Sequence, residues 1–452
     1  MMNIPFNALK RVHFIGINGI SMSALAKFCL VKGISVSGSD NVYNDVSKRL
    51  NSLGAKIYKG HKAENLFSGE KELPDAVVYT SAIDLNNPEL VFALSSGIKV
   101  YKRSEFLAGI VDGFSVSVGV AGSHGKTTAT CMIAEIMVRA GKSPTVFLGG
   151  ESYSFGNFLS GKDEIAIYEA CEFQRNFLDF HPKYSVVLNI DNDHMDTYKD
   201  ISDETAAFKD YVSKSVCFLN ADDKQAKTIY NSATVTFGID GLSCYTAKNI
   251  KITEKGTAFT VYAYGRKLGR INIKLFGKHF VYDALSAIAV ACELKVPFKT
   301  VSDALTEFKG VKRRNEFLGY INSVQCFADY AHHPTEICAN AKYNDGKTLA
   351  VFQPHTYSRT EKLMNGFIDA LSNYDGVIIY KTYPAREKFN LSGDAKTLYG
   401  KLKKTHKNTI YCGDAESLFG AVGKHASEYD KVIFIGAGDI YDIAKEIILK
   451  NM

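Results

Sequence analysis

GVAGSHGKTTATCMIAEIM, residues 119–137, is the stretch that decides the fold. A short apolar run, 115–118, leads through the turn 119–125 into Lys-Thr-Thr and a helical pattern that continues from Lys126 to Ala140. A strand that ends in a glycine turn and passes directly into a helix aims the N–H groups of the turn and of the first helical turn at one point, which builds an anion site. Lys126 adds a mobile cation, and the Thr127 hydroxyl is placed to ligate Mg²⁺. The pattern departs from G-x-x-x-x-G-K-[ST], because the residue five before Gly125 is Val120, with Gly119 and Gly122 flanking it. Gly122, Ser123, His124, Gly125, Lys126, Thr127 and Thr128 are therefore read as a cradle for nucleotide phosphates.

Outward from this loop, short β-rich runs alternate with helical patterns of 10–15 residues nearly end to end, the signature of βαβ units on parallel sheets. Arg11–Ile15, 34–37 and Ala76–Tyr79 read as strands of a first α/β domain that closes near 110–113. Runs at 165–168, 185–188 and 215–219 continue the domain of the phosphate loop, and the alternating runs 258–264 and 271–275 read as an antiparallel addition before a helix at 280–294. Past the basic segment 309–314, strands near 349–352, Gly376–Tyr380 and 432–435 form a third α/β unit.

A chain of 452 residues exceeds what one hydrophobic core serves, which agrees with three domains. With 46% hydrophobic and 23% charged residues it has a globular composition, not a disordered one. No apolar run approaches the ~18 residues of a membrane helix, and the start lacks a signal-peptide core, so the expected location is cytoplasmic and no membrane partner is expected. The nine Cys form no C-x-x-C pair and read as reduced thiols. A net charge of +6 is too small for a nucleic-acid binder of this length.

The run HFIGINGISMSALAK, with Asp40 closing GSD, has the outline of a dinucleotide fingerprint. Asn18 and Ser21 stand where G-x-G-x-x-G has its second and third glycines, so a pyrophosphate could approach only if Asn18 takes a left-handed turn, which Asn tolerates. A nucleotide-diphosphate site is the expectation. In the middle domain, two strands run into polar ends, Glu169-Ala-Cys-Glu172 and Asp191-Asn-Asp-His194, on the sheet edge that carries the phosphate loop. Glu169 and His194 are thus placed to complete coordination of Mg²⁺ or Mn²⁺. Six of eleven His (His124, His194, His279, His332, His333, His355) fall in turns flanked by Gly, Pro or charge. In Asp329-Tyr-Ala-His332-His333-Pro334 and Gln353-Pro-His355-Thr-Tyr-Ser358-Arg359, His and Arg converge in a way that can neutralise a carboxylate or a migrating phosphoryl group.

Together these motifs resemble the Mur ligase family. The resemblance rests on GINGISMSALA and GSD, on AGSHGKTT, EACEFQRNFL and NIDNDHMDTY, and on GVKRRNEFLG, DYAHHPTE, FQPHTYSRT and IGAGDI, in one order over the whole chain. It implies a Rossmann-like N-terminal domain (1–112) for the UDP-sugar, a central P-loop ATPase-like mixed-sheet domain (113–311) for ATP, and a C-terminal Rossmann-like α/β domain (312–452) closing over ATP and the amino acid. The implied reaction joins L-alanine to the lactyl carboxylate of UDP-N-acetylmuramate through an acyl phosphate, in peptidoglycan precursor synthesis, by a monomer or homodimer. The resemblance implies UDP-sugar contacts at Gly16, Asn18, Gly19, Ile20, Ser21, Asp40, Ser81 and Arg103. For ATP it implies His279, Asp283, Arg314 and Asp329 beside the loop. Metal would lie on Thr127, Glu169 and His194, and His333, His355 and Arg359 would orient the acyl phosphate and the amine. The family's H-N-x-x-N nucleobase motif reads His279-Phe-Val-Tyr-Asp283 here, with both Asn lost, and Thr356 stands where many members have Arg. Lys209 lies near the position of the carbamylated lysine of some sister ligases and reads as an exposed helix lysine. The alternatives are a ligase attaching a preformed peptide to the same sugar, a folate-type polyglutamate ligase, and a non-catalytic nucleotide-sensing binder.

Overall fold

The computed structural model describes residues 4, 6–67, 72–162, 164–191, 197–253, 256–341 and 346–450. They form three sheets with helices between the strands. By compactness the chain falls into two units: Met1–Asn249 with Phe259–Ile271 and Tyr282–Lys309, and Ile250–Ala258 with Asn272–Val281 and Gly310–Met452. No helix among the described residues is long and apolar enough to cross a membrane.

The first sheet is wholly parallel, in the order Lys56–Lys59, Ser35–Asp40, Arg11–Ile15, Ala76–Tyr79, Lys99–Lys102. Its direction of winding reverses at Arg11–Ile15, so the loops after Ile15 and Tyr79 part and open a crevice. The second strand runs on through Gly38-Ser39-Asp40, beyond the turn that the glycine suggested at Ser37. Pairing on both sides, Ser39 with Ile15 and Asp40 with Lys59, outweighs the weak strand propensity of Gly38, whose missing side chain makes room for Ile17.

The second sheet has ten strands, with Val116–Ala121 flanked by Tyr184–Val187 on one side and Ile165–Glu169 on the other, all parallel. This is its switch point, and the phosphate loop leaves from it. One edge carries the expected antiparallel addition, Gly256–Ala263 and Arg266–Ile273, joined by Tyr264 (φ 49°) and Gly265 (φ 79°). Two left-handed residues make the tight turn whose twist suits a hairpin. The other edge is a second hairpin, Thr145–Ser152 with Gly156–Leu159, which the sequence pattern did not reveal. Buried side chains of the first two sheets merge into one core, in which Phe28 meets Phe147 and Phe158.

The third sheet has the order Glu316–Ile321, Val324–Asp329, Lys431–Ile435, Thr348–Phe352, Gly376–Tyr380, Thr409–Cys412, parallel except for the first strand. Its central strands are almost uniformly buried, as parallel strands covered on both faces must be. The nine cysteines are free thiols, as their spacing led us to expect.

Candidate functional site

The phosphate loop turns on two left-handed glycines, Gly122 (φ 137°) and Gly125 (φ 85°). Gly125 caps the helix Lys126–Arg139, and a Cβ there would run into the carboxylate of Asp283, while one on Gly122 would press on the backbone of Asn189. Asn189 braces the loop: its Oδ1 accepts from the His124 N–H (2.8 Å), its Nδ2 donates to the His124 carbonyl (3.0 Å), and its own carbonyl accepts from Ser123 N–H. With those two N–H groups used, the donors left to a ligand are those of Gly125 and the first helical turn, which have no intrahelical partner by construction. Ser123 and Asp191 bond mutually, and the His124 ring lies 3.0 Å from Asp191 Oδ2.

Lys126 folds back into this loop. Its Nζ donates to the Gly122 and Ser123 carbonyls and to both oxygens of Glu172, at 2.9 and 3.0 Å. Burial alone would lower its pKa, but Glu172 above all, with Cys171 and Glu169, outweighs that and raises it, so the ammonium stays charged. The Thr127 hydroxyl donates to Glu169 Oε2 (3.0 Å), and the Gly149 N–H holds Glu169 Oε1. A hydroxyl and a carboxylate side by side at the mouth of a phosphate loop are the oxygen donors that Mg²⁺ or Mn²⁺ takes, so these residues fit the expected metal. His194, the further ligand expected, lies outside the described residues. Lys209 is exposed on the helix Ile201–Val212.

In the first domain the left-handed residue of the turn is Gly16 (φ 82°) and not Asn18, so the condition set on Asn18 is not met and the open backbone of the turn is supplied by Gly16 instead. Asn18 instead spends its side chain on the chain itself: Nδ2 donates to the Val42 carbonyl (2.5 Å) and Oδ1 accepts from Ser47 (2.8 Å). Its N–H donates to Asp40 Oδ2 (3.1 Å), which ties Asp40 to the turn. Gly19 caps the helix Ile20–Val31, where Ser21 sits in the first turn. Ser81 is exposed after the fourth strand, next to Thr80, which packs on Gly16. Arg103 opens the helix Arg103–Val111 and lies within electrostatic reach of Cys171.

The third sheet gathers a cluster at the ends of its strands. The Asp329 carboxylate accepts from the Asn315 and Ala331 N–H groups (both 2.8 Å), thereby fixing the turn, and burial raises its pKa. Arg314 stacks on Tyr330 and stands 4.0 Å from Glu336. His332 meets His355, with ring centres 6.0 Å apart, and His333 is buried. His355 stacks on Tyr383, and its Nδ1 lies 3.3 Å from Arg359 Nη1. A guanidinium only donates, so this Nδ1 accepts and Nε2 carries the proton. His332 Nδ1 faces the Tyr330 carbonyl at 3.0 Å and the Glu336 carboxylate at 3.5 Å, both of which only accept, so Nδ1 carries a proton. Thr356, where an arginine was expected from the family, is left-handed (φ 65°), an unusual conformation for a β-branched residue, and it caps the short helix that presents Arg359. His279, which we placed in a turn, begins the helix Lys278–Glu293; burial pulls its pKa down to about 4, so the ring is neutral near pH 7.

The sequence reading passed over Glu172, Asn189 and Gly149. Glu172 stood within the quoted EACE run, and Asn189 at a strand end two residues before Asp191, so both were signalled by position. Gly149 was not, because it acts through its N–H alone.

Comparison with known proteins agrees with these three layers. The chain matches "Mur ligase family, catalytic domain" over residues 11–115, "Mur ligase middle domain" over 120–291 and "Mur ligase, glutamate ligase domain" over 313–438. It is 39% identical to the UDP-N-acetylmuramate–L-alanine ligase of Caldanaerobacter subterraneus subsp. tengcongensis over 100% of both chains. It is 38% identical to that of Clostridium acetobutylicum over 98% of both. The crystal structure of UDP-N-acetylmuramate-alanine ligase MurC from Thermotoga maritima superposes with a TM-score of 0.84 at 28% identity, covering 97% of this chain and 98% of that one. Sequence, topology and site thus converge, and the chain belongs to the Mur ligase family.

Proposed function

We propose that this protein joins L-alanine to the lactyl carboxylate of UDP-N-acetylmuramate, cleaving ATP to ADP and phosphate, in peptidoglycan precursor synthesis. The observation that carries the reading is full-length identity of 38–39% to ligases of that name, running through all three sheets. In this reading residues 1–112 hold the UDP-sugar at Gly16–Ser21, Asp40, Ser81 and Arg103, residues 113–311 hold ATP, and residues 312–452 close over ATP and alanine. The reaction belongs in the cytoplasm, where ATP is made available.

An amide cannot form from a carboxylate until oxide is replaced by a better leaving group, so the γ-phosphoryl group passes first to the carboxylate and the alanine amine attacks the acyl phosphate. The residues contribute position and charge more than covalent chemistry. Lys126 would exchange Glu172 for phosphate oxygens, joined by the N–H groups of Gly125–Thr128. Thr127 and Glu169, with His194, would hold Mg²⁺ or Mn²⁺. Bound there, the ion would offset charge on the transferring group. Arg359 would orient the acyl phosphate through its guanidinium, with His279, Asp283 and Arg314 toward the nucleotide. His333 and His355 would help Arg359 orient the acyl phosphate and the incoming amine, and a nearby His could accept the proton of the amine.

The test is ADP release by purified protein with UDP-N-acetylmuramate plus each amino acid or peptide in turn. Turnover with L-alanine is expected; turnover only with a preformed peptide would support the sister activity instead. Hydroxylamine in place of alanine should trap a hydroxamate, and its absence under conditions that support the full reaction would count against the acyl phosphate.

A further inference from the structure

The hairpin Thr145–Leu159 touches two sites at once. On its outer strand, Asn157 is only 2% exposed, and its amide makes three hydrogen bonds to the helix Ile20–Val31, with both N–H donors used. Nδ2 donates to the Ile20 carbonyl (2.6 Å) and to Ser23 Oγ (2.8 Å), and Oδ1 accepts from Lys27 Nζ (2.6 Å). Because a lysine can only donate and a carbonyl can only accept, the orientation of the amide is fixed by its partners. That helix starts at Gly19, directly after the Gly16 turn. On the inner strand, the Gly149 N–H holds Glu169, and a side chain at Gly149 would collide with the same carboxylate. Arg49 and Glu151 add an exposed contact across the same seam at 3.4 Å.

We propose that this hairpin sets the UDP-sugar loop at a fixed distance from the metal carboxylate, with Asn157 as a positioning residue for the UDP-sugar. The proposal rests on reading Gly16–Ser21 as the UDP-sugar loop. Asn157→Asp keeps the size and the Lys27 contact but turns an acceptor toward the Ile20 carbonyl, removing two hydrogen bonds, each worth about two- to ten-fold in an equilibrium. The KM and the calorimetric Kd for UDP-N-acetylmuramate should rise about ten-fold, while the ATP KM stays within about two-fold. A role confined to stability would lower the melting temperature and the active fraction without separating the two substrates, and that result would overturn the proposal. Ser23→Ala and Lys27→Met, which each remove one partner, should shift the same constant in the same direction by less; they decide the matter should Asn157→Asp fail to fold. UDP-N-acetylmuramate binding that is unchanged in these variants would overturn the proposal alone, whereas no binding to the unsubstituted chain would overturn the functional reading with it.

Discussion

Glu172→Gln should make the empty protein less stable and ATP binding tighter. Lys126 is held by both oxygens of a carboxylate that is fully buried, while the lysine side chain keeps 15% of its surface exposed. Removing one partner of a buried pair costs about 3–5 kcal/mol. Partial exposure and the two loop carbonyls that still accept from Nζ discount this to about 2 kcal/mol. ATP has to draw Lys126 away from Glu172, so the wild type meets that cost on binding and the variant has already met it. At 1.4 kcal/mol per factor of ten, the ATP Kd should fall about thirty-fold. Removal of a negative charge beside the phosphates acts in the same direction. Thermal melts with and without ATP, together with titration of a fluorescent ATP analogue, read both effects: a lower melting temperature without nucleotide and a larger upward shift with it. If Glu172→Gln instead bound ATP more weakly, Glu172 would be a partner of Lys126 in the bound state too, and the exchange would be refuted.

Three further outcomes are expected. Glu169→Gln and Thr127→Val should each raise the Mg²⁺ concentration needed for half-maximal turnover, and unchanged Mg²⁺ titrations in both would remove them from the metal site. Asp283→Asn, at a carboxylate that lies against Gly125 of the phosphate loop, should lower the ATP KM several-fold, by about 0.5–1.5 kcal/mol, and an unchanged KM would contradict this. For His279 the folded pKa of about 4 lies below the ordinary 6.5, so the unfolded chain takes up the proton first as pH falls. The stability it contributes is therefore complete above pH 6.5 and is lost between 6.5 and 4, up to about 3 kcal/mol. In urea unfolding of the second unit, His279→Gln should flatten that part of the pH profile; an equally steep fall would contradict it.

The parts legible in the sequence are those whose chemistry is written in consecutive residues. A strand, two glycines, Lys-Thr and a helix fixed the phosphate loop because the anion site is made by that local path of the backbone. The helix from Lys126 was placed to within one residue of its end for the same reason. The hairpin Thr145–Ser152 with Gly156–Leu159 escaped because Gly149-Gly150 and the irregular register between Phe147 and Ser152 break the alternation that marks strands. Lys56–Lys59 and Lys99–Lys102 escaped because edge strands are short and end in lysines, as edges exposed to water do. At Asn18 the residue type was read correctly as permissive, yet the turn needed a side chain that could reach Val42 and Ser47, not a left-handed backbone. Asn157 and Glu172 were present in plain view, but their partners lie 137 and 46 residues away, and no spacing rule connects them.

The charges around the loop explain why such a site needs a cation beyond those of its own unit. Glu169, Glu172, Asp191 and Asp283 all stand at or beside the turn, with Lys126 and the His124 ring among the groups that face them. Lys126 and Glu172 neutralise one another, which is the same fact as the raised pKa of the lysine and the tolerated burial of the carboxylate. A triphosphate brought into this setting meets carboxylates that Lys126 cannot offset alone, since a single uncompensated pair of like charges at 4 Å costs about 4 kcal/mol near a protein surface. Thr127 and Glu169 would hold a divalent ion, whose charge would offset that of Glu169 and of the phosphates. Nucleotide affinity should accordingly collapse when the ion is chelated, and collapse less in Glu172→Gln, where one of the opposing charges has been removed.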